Sequence, residues 1–323
     1  MSGSSRIEWI DHKSYIKFLI MRHFIPIILI GLIATSCDEI DCPYEDERLC
    51  DPDFIPVEDV TLGTPDGTFS YDASELNAYE PVVLVEDFTG FRCPNCLDAL
   101  ETAKNISDAW GDRVVIVAYH VTQQFAAPLT ENPEEPFYLD FRTPAGEDLL
   151  TNYLIPALPN GMVDRKIFDN SRIQPHGNWE DRVAQEVTES PMGFVDVREV
   201  VYDEVADLYR FDVAIKPFVD LEEDWSLFVG IYEDGLIEGQ KDGSETIYPF
   251  THDHVFRRAI LGTFGETALT PDMEIGENEA PYYSLAIKAN PEWNVEECYV
   301  FAYLIRPGND EEIITCDKEP LLP

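Results

Sequence analysis

Val82-Val83-Leu84-Val85-Glu86-Asp87-Phe88-Thr89-Gly90-Phe91-Arg92-Cys93-Pro94-Asn95-Cys96 decides how this chain folds. The unbroken apolar run at its start predicts a strand buried on both faces. A short Thr89-Gly90 turn then delivers two cysteines to the start of an amphipathic helix. Leu97, Leu100, Ala103, Ile106 and Trp110 recur three or four residues apart and mark that helix's buried side. A second apolar run, Val114-Val115-Ile116-Val117-Ala118, follows at once. The pattern is a β-α-β unit with parallel strands, and it places Cys-x-x-Cys at a helix N-terminus. Unpaired amide N–H groups and the positive end of the helix dipole stabilise a thiolate there.

This layout resembles a thioredoxin-like redox site. Asp87 and Phe88 stand six and five residues before Cys93, where thioredoxins carry an Asp-Phe pair. Leu158-Pro159-Asn160-Gly161, leading into Met162-Val163-Asp164-Arg165-Lys166-Ile167-Phe168, resembles the cis-proline element that faces the cysteines in that family. Pro156 is the other candidate, but Pro159 lies closer to the strand. The chain departs from thioredoxin in having Pro94-Asn95 between the cysteines and Arg92 where a tryptophan is usual. Proline directly after the first cysteine is more like the oxidising periplasmic members of the superfamily.

The resemblance implies roles. Cys93 is expected to be an exposed nucleophile and Cys96, one turn in, the resolving thiol. Arg92 adds a positive charge beside Cys93, which favours thiolate. Asp87, if buried, relays a proton to Cys96 during exchange. The competing reading is a static disulfide on a scaffold without enzymology. A zinc site is disfavoured, because no second Cys-x-x-Cys or Cys/His pair has suitable spacing. No cofactor is called for.

Ile25-Pro26-Ile27-Ile28-Leu29-Ile30-Gly31-Leu32-Ile33 is too short to span a bilayer and reads as a signal-peptide core. Arg22 and His23 precede it, and Ala34-Thr35-Ser36-Cys37 follows, resembling a bacterial lipobox whose cysteine is acylated. Met21 then reads as the true start and residues 1–20 as an upstream extension. An ordinary secretory signal is the alternative, and either exports the chain. Export gives the seven cysteines meaning. A lipidated Cys37 removes the odd one, leaving Cys42 with Cys50, Cys93 with Cys96, and Cys298 with Cys316. The last pair flanks the turn signal Arg306-Pro307-Gly308-Asn309-Asp310, so a hairpin is expected to bring its two thiols together. Structural disulfides are expected for Cys42/Cys50 and Cys298/Cys316 in an oxidising compartment.

Sixty-three acidic residues against 22 basic ones give a net charge of −41. Residues 1–36 hold four positive and two negative charges, so the exported chain carries −43. Such a surface repels nucleic acid and anionic membrane, which argues against either as a binding partner. With only eight lysines, the acidic surface suits a salt-tolerant source, where screening weakens its self-repulsion.

Four segments are expected: 1–36, upstream extension and signal peptide; 37–55, an acidic tether; 56–190, a thioredoxin-like α/β domain with a mixed sheet flanked by helices; and 191–323, an all-β sandwich-like domain. Within the third, Thr122–Arg142 reads as a proline-punctuated loop over the site. Thr143-Pro144 opens a helix, and the stretch from Trp179 to Val187 reads as the closing helix. After Pro191 the pattern turns to alternating strands at Phe194–Val201, Tyr209–Ile215, Trp225–Tyr232 and Tyr283–Ile287, with a final hairpin. The segment 234–281 is expected to cross between sheets. In it, His252-Asp253-His254 are possible metal ligands with His120 outside, but a structural role is preferred because spacing fixes no third ligand.

Three blocks carry a wider resemblance: Val85-Glu86-Asp87-Phe88-Thr89-Gly90 with Cys93-x-x-Cys96; Pro159-Asn160-Gly161-Met162-Val163-Asp164-Arg165; and His252-Asp253-His254-Val255-Phe256-Arg257. Together they resemble the outer-membrane-protein-28-related lipoproteins of Bacteroidota. The resemblance implies an outer-membrane lipid anchor and a thioredoxin-like domain followed by a β domain. Asp38-Glu39 also resembles the acidic surface-export signals of some Bacteroidota lipoproteins. Two functions stay open. One is a thiol-disulfide oxidoreductase acting on exported protein thiols and disulfides. The other is a surface-attached binding or adhesion protein that keeps the thioredoxin-like domain as scaffold and uses the sandwich to contact an unidentified partner.

Overall fold

β1 (Gly67–Ser70) and α1 (Ala73–Ala78) lead into β2 (Val83–Thr89), and every residue of β2 is buried, as its apolar run predicts. The computed structural model describes residues 61–307 and 311–322. The signal segment, Cys37, the acidic tether and the Cys42/Cys50 pair lie outside these residues. α2 (Leu97–Trp110) buries Ala99, Ala103 and Ile106 and stops at Gly111, whose φ of 54° ends the helix in a left-handed residue. β3 (Val114–His120) returns parallel to β2 in register Val83↔Val114 through Thr89↔His120.

The short α3 (Gln123–Ala126) follows, then α4 (Pro144–Asn152). Thr143 caps α4 by accepting from the Gly146 N–H at 3.1 Å, with Pro144 in the first turn. β4 (Asn160–Val163) runs antiparallel to β2. α5 (Trp179–Glu186) packs Trp179 and Val183 beside α2 on the β2–β3 face. Then come β5 (Gly193–Asp203), β6 (Leu208–Pro217), β7 (Trp225–Glu233), β8 (Leu236–Asp242) and β9 (Glu245–His252). β10 (Val255–Ala259), β11 (Glu266–Leu269), β12 (Glu279–Ile287), β13 (Cys298–Arg306) and β14 (Glu312–Pro320) complete the order. The result is a mixed α/β fold of several sheets in which strands far outweigh helices.

Its largest sheet runs β14-β13-β7-β10-β3-β2-β4, with β11 also paired to β7. β10 sits parallel to β3 through Val255↔Ala118 and antiparallel to β7, so strands from both sides of residue 190 share one sheet. The expected break at residue 190 therefore divides no compact units, and Pro56–Pro323 forms one. The physical reason is the open edge of β3, whose backbone groups need a partner that the first half does not supply. The expected sandwich exists as part of this arrangement. The antiparallel sheet β1-β12-β6-β5 packs Val195, Phe211, Val213 and Ile215 onto Leu227, Val229, Val300 and Ala302 of the large sheet. Segment 234–281, expected to cross between sheets, instead builds the isolated β8–β9 hairpin, β10 and β11.

On the sheet's opposite face one aromatic layer runs from Phe88 and Tyr119 to Phe228, Phe301 and Tyr303 under α4. Inside it Arg165 forms a two-pronged ion pair with Glu86, at 2.8 and 2.7 Å, and both side chains are about 1% exposed. The Arg165 guanidinium also donates to the Tyr153 and Tyr303 hydroxyls, each at 2.9 Å. Glu86 and Arg165, which carry two of the family-like blocks, thus tie the two halves of the sheet together.

Candidate functional site

Gly90 follows β2 because nothing larger fits: a Cβ there would lie 2.6 Å from the Phe125 carbonyl oxygen. The chain then turns, with Cys93 N donating to Gly90 O at 2.9 Å and Cys96 N to Cys93 O at 3.3 Å. Cys96 takes the N-cap position of α2, and Ala99 N and Leu100 N both donate to its carbonyl at 3.1 Å. Cys93 and Cys96 are joined as a disulfide with Cα atoms 5.4 Å apart.

Cys93 is not the exposed nucleophile that the sequence led us to expect. It is 1% exposed and Cys96 is fully buried. The cause is the β8–β9 hairpin, which lies across the cysteine turn. Lys241 N donates to Phe91 O at 2.8 Å and Gly243 N to Pro94 O at 2.9 Å. The Gln240 side-chain amide donates to Cys93 O at 3.4 Å. Arg92 also differs from expectation, since its guanidinium donates to the Gln123 carbonyl in the α3 loop. Burial and the nearby Arg142 charge hold its pKa below the usual arginine value.

Beneath the disulfide is a row of buried polar side chains. Val83 and Val85 face α2, so alternation along β2 turns Asp87 and Thr89 to the same face, toward the helix N-terminus. His120, opposite Thr89 on β3, joins them. Asp87 is completely buried, and neither carboxylate oxygen has a hydrogen-bond partner. Burial alone pushes its pKa up to about 8, because the ionised form finds nothing to replace water. Thr89 Oγ1 and both His120 ring nitrogens are likewise without partners. From the hairpin, His252 brings its ring within 5.4 Å of the His120 ring, centroid to centroid. His252 Nε2 faces Gly239 O at 3.2 Å, while its Nδ1 and Gln240 Oε1 have no partner. Burial holds His120 well below the usual histidine value and brings His252 down to about 4, so both rings are neutral near pH 7.

The Leu158–Pro159 peptide bond is cis. Phe88 pairs with Asn160, which puts Pro159 at the end of β2 from which the cysteine turn emerges. The metal-ligand candidates separate. His252 stands by His120, Asp253 accepts from Gly235 N at 3.0 Å, and His254 pairs with Asp234 at 3.2 Å. Among the described residues no three His, Cys, Asp or Glu side chains converge as ligands.

Cys298 and Cys316 are buried free thiols, not the expected disulfide. Tyr303 is the residue opposite Cys316, whereas Cys298 O accepts from Leu321 N at 2.8 Å. Five residues of strand, ~17 Å, therefore separate the two positions along β13. Their side chains also fall on opposite faces, Cys298 in the sandwich core and Cys316 in the aromatic layer. Burial raises the Cys298 thiol to about 12 and the Cys316 thiol well above its usual value.

Sequence reasoning missed Thr89, Gln240 and the pairing of His120 with His252. Asp242-Gly243-Ser244-Glu245 was the available signal, because a turn between two short alternating runs announces a hairpin.

HBP35 of Porphyromonas gingivalis shares this fold, with a TM-score of 0.57 and 15% identity over 75% of this chain and 76% of that one. An Agrobacterium tumefaciens protein superposes with a TM-score of 0.46 at 12% identity, covering 75% of this chain and 95% of that one. A domain of the outer membrane lipoprotein Omp28 of P. gingivalis gives 0.30 at 14% identity, covering 42% of this chain and 92% of that one. No curated protein matches the chain. No helix among the described residues is long and apolar enough to cross a membrane. The family described as outer membrane protein Omp28 matches residues 147–319, more than half of the 323. The chain belongs to the Omp28 family of outer membrane proteins.

Proposed function

We propose that this lipoprotein is an envelope thiol-disulfide oxidoreductase whose thioredoxin-like region exchanges the Cys93–Cys96 disulfide with exported protein thiols, and that Cys37 carries its lipid. One observation carries the reading: a formed Cys93–Cys96 disulfide at the start of α2 with an unpartnered, fully buried Asp87 on the same face. The order β10-β3-β2-β4, with β4 alone antiparallel and entered from Pro159, supports the thioredoxin-like assignment. The family match begins at residue 147, after the cysteine pair, so the proposed chemistry rests on these residues alone.

In the proposed reaction a substrate thiolate attacks Cys93 Sγ, forming a mixed disulfide and breaking the bond to Cys96. The Cys96 sulfur leaves with the electron pair and takes a proton from Asp87, which is protonated below about pH 8. A second substrate thiolate then attacks the mixed disulfide and releases Cys93. The substrate gains a disulfide, and the lipoprotein gains two thiols. Pro159 lies at the strand end bordering this exchange, and Arg92 orders the adjoining α3 loop through Gln123.

The burial of Cys93 favours a second reading, a static disulfide on a scaffold that binds a surface partner. Incubating the oxidised protein with a reduced, unfolded client separates the two. The oxidoreductase reading expects client disulfides to appear, stoichiometric with Cys93 and Cys96 thiols, and abolition by Cys93→Ser. No client oxidation, in the parent chain or in one with the cysteines uncovered, leaves the scaffold reading.

A further inference from the structure

The β8–β9 hairpin is attached to the rest of the fold in an unusual way. Its ladder is entirely internal, and it forms a two-stranded sheet joined to neither of the others. An isolated two-stranded hairpin is marginally stable in water, so this one depends on what it rests on. β8 rests on the cysteine turn through Lys241, Gly243 and Gln240, and on the loop before α4 through Glu238. The Glu238 carboxylate accepts the backbone N–H groups of Phe137, Tyr138 and Leu139. Gly239 allows the close seat, since a Cβ there would lie 2.8 Å from Pro136. The other strand faces solvent, with Glu245–Pro249 exposed throughout and Ile247 and Tyr248 among them.

We propose that this hairpin is an autoinhibitory cover that must swing away before the Cys93–Cys96 disulfide can react; its purpose, though not its existence, rests on the oxidoreductase reading. Thiol-disulfide exchange requires a thiolate to reach sulfur directly, and a 1%-exposed Cys93 offers no approach. The seam is built to part. Gln240 Oε1, His252 Nδ1 and both His120 nitrogens are buried along it without partners, and opening returns them to water. Water equally satisfies the Phe91 and Pro94 carbonyls that Lys241 and Gly243 release. The neck is narrow, because Leu236 and His252 are opposite each other in the ladder. Gly235 and His254, at φ 75° and 61°, flank it in left-handed conformations that set the hairpin apart from β7 and β10.

The test is the rate at which dithiothreitol reduces Cys93–Cys96, read by alkylation and peptide mass. Two variants of the full exported chain are compared with the parent. In the first, Ile237–Thr251 is replaced by Asn-Gly, which the Leu236↔His252 register accommodates as a two-residue turn. In the second, Lys241→Pro deletes the N–H that Phe91 receives and leaves both cysteines intact. The cover predicts reduction of the parent at least ~100-fold slower than of the unfolded chain, since it requires local opening. It predicts recovery of most of that factor on excision, and a rise of about 5-fold for Lys241→Pro from one lost hydrogen bond. If the excised chain does not melt cooperatively, Lys241→Pro decides. Equal rates in parent and variants overturn the cover. Faster reduction of the variants without oxidation of a reduced client keeps the cover and refutes the oxidoreductase reading. Client oxidation at the same rate by parent and variants does the reverse.

Discussion

Replacing Asp87 by Asn changes how stability depends on pH, and the structure gives the size of the change. Burial raises the Asp87 pKa from an ordinary 3.8 to about 8. The folded chain therefore holds a proton that the unfolded chain releases above about pH 4. Stability from this group is complete below pH 4, falls by ~1.4 kcal/mol per pH unit between 4 and 8, and is flat above. The accumulated cost is about 5 kcal/mol at pH 8. His120 and His252, both held below their ordinary value, act in the opposite sense, losing stability as pH falls below about 6.5, for His252 down to about 4. The difference between parent and Asp87→Asn cancels their contribution, because both chains keep the two histidines. Urea unfolding of the oxidised chains from pH 5 to 9 should show Asp87→Asn gaining on the parent at every step up to pH 8. Two pH profiles that run parallel would refute the reasoning that Asp87 is buried, unpartnered and protonated.

Arg165→Met leaves Glu86 charged and unpaired in the aromatic layer, and is expected to cost about 3–5 kcal/mol, read as a lower urea midpoint. Cys298 and Cys316 should resist iodoacetamide in the folded chain and react once each after unfolding without reductant. A disulfide-linked Cys298–Cys316 peptide would overturn the observed β13–β14 register. Cys37→Ser should move the protein from the membrane fraction to the soluble envelope fraction, because it removes the proposed site of acylation. Retention in the membrane would call for another anchor.

What was legible in the sequence is what local chemistry decides. The apolar runs at Val82–Val85 and Val114–Ala118 predict buried strands and Thr143-Pro144 predicts a helix start, and β2, β3 and α4 form there. The cysteine turn follows from short-range pattern, whereas the roles given to Asp87 and to the proline before β4 come from the resemblance to thioredoxins. Long-range pairing was not legible. β10 completes the sheet by joining β3 after an excursion of 134 residues (His120 to Val255), and no local period records which open edge a strand will find. Sequence spacing also misled for Cys298 and Cys316. A hairpin's register is fixed by its turn and its bulge, here between Leu304 and Ile305, and not by the cysteines that flank it. Alternation through that register sends the two thiols to opposite faces. The burial of Cys93 depends on both effects at once. The hairpin that covers it lies about 150 residues further along the chain, and neither its backbone contacts nor those of Glu238 and Gln240 have a sequence signature.

The most direct test of the central claim is covalent. Cys96→Ser leaves Cys93 as the single thiol of the pair, so a mixed disulfide formed when its thiolate attacks an oxidised client loses the Cys96 route of release and is freed only by a thiol of the client. The account predicts that a chain carrying Cys96→Ser together with the Asn-Gly replacement of Ile237–Thr251 accumulates such adducts through Cys93 on exported proteins. Reductant should release them, and Cys93→Ser should abolish them. A Cys93 thiol that is uncovered, alkylated by iodoacetamide, and still forms no mixed disulfide with any client would contradict the account.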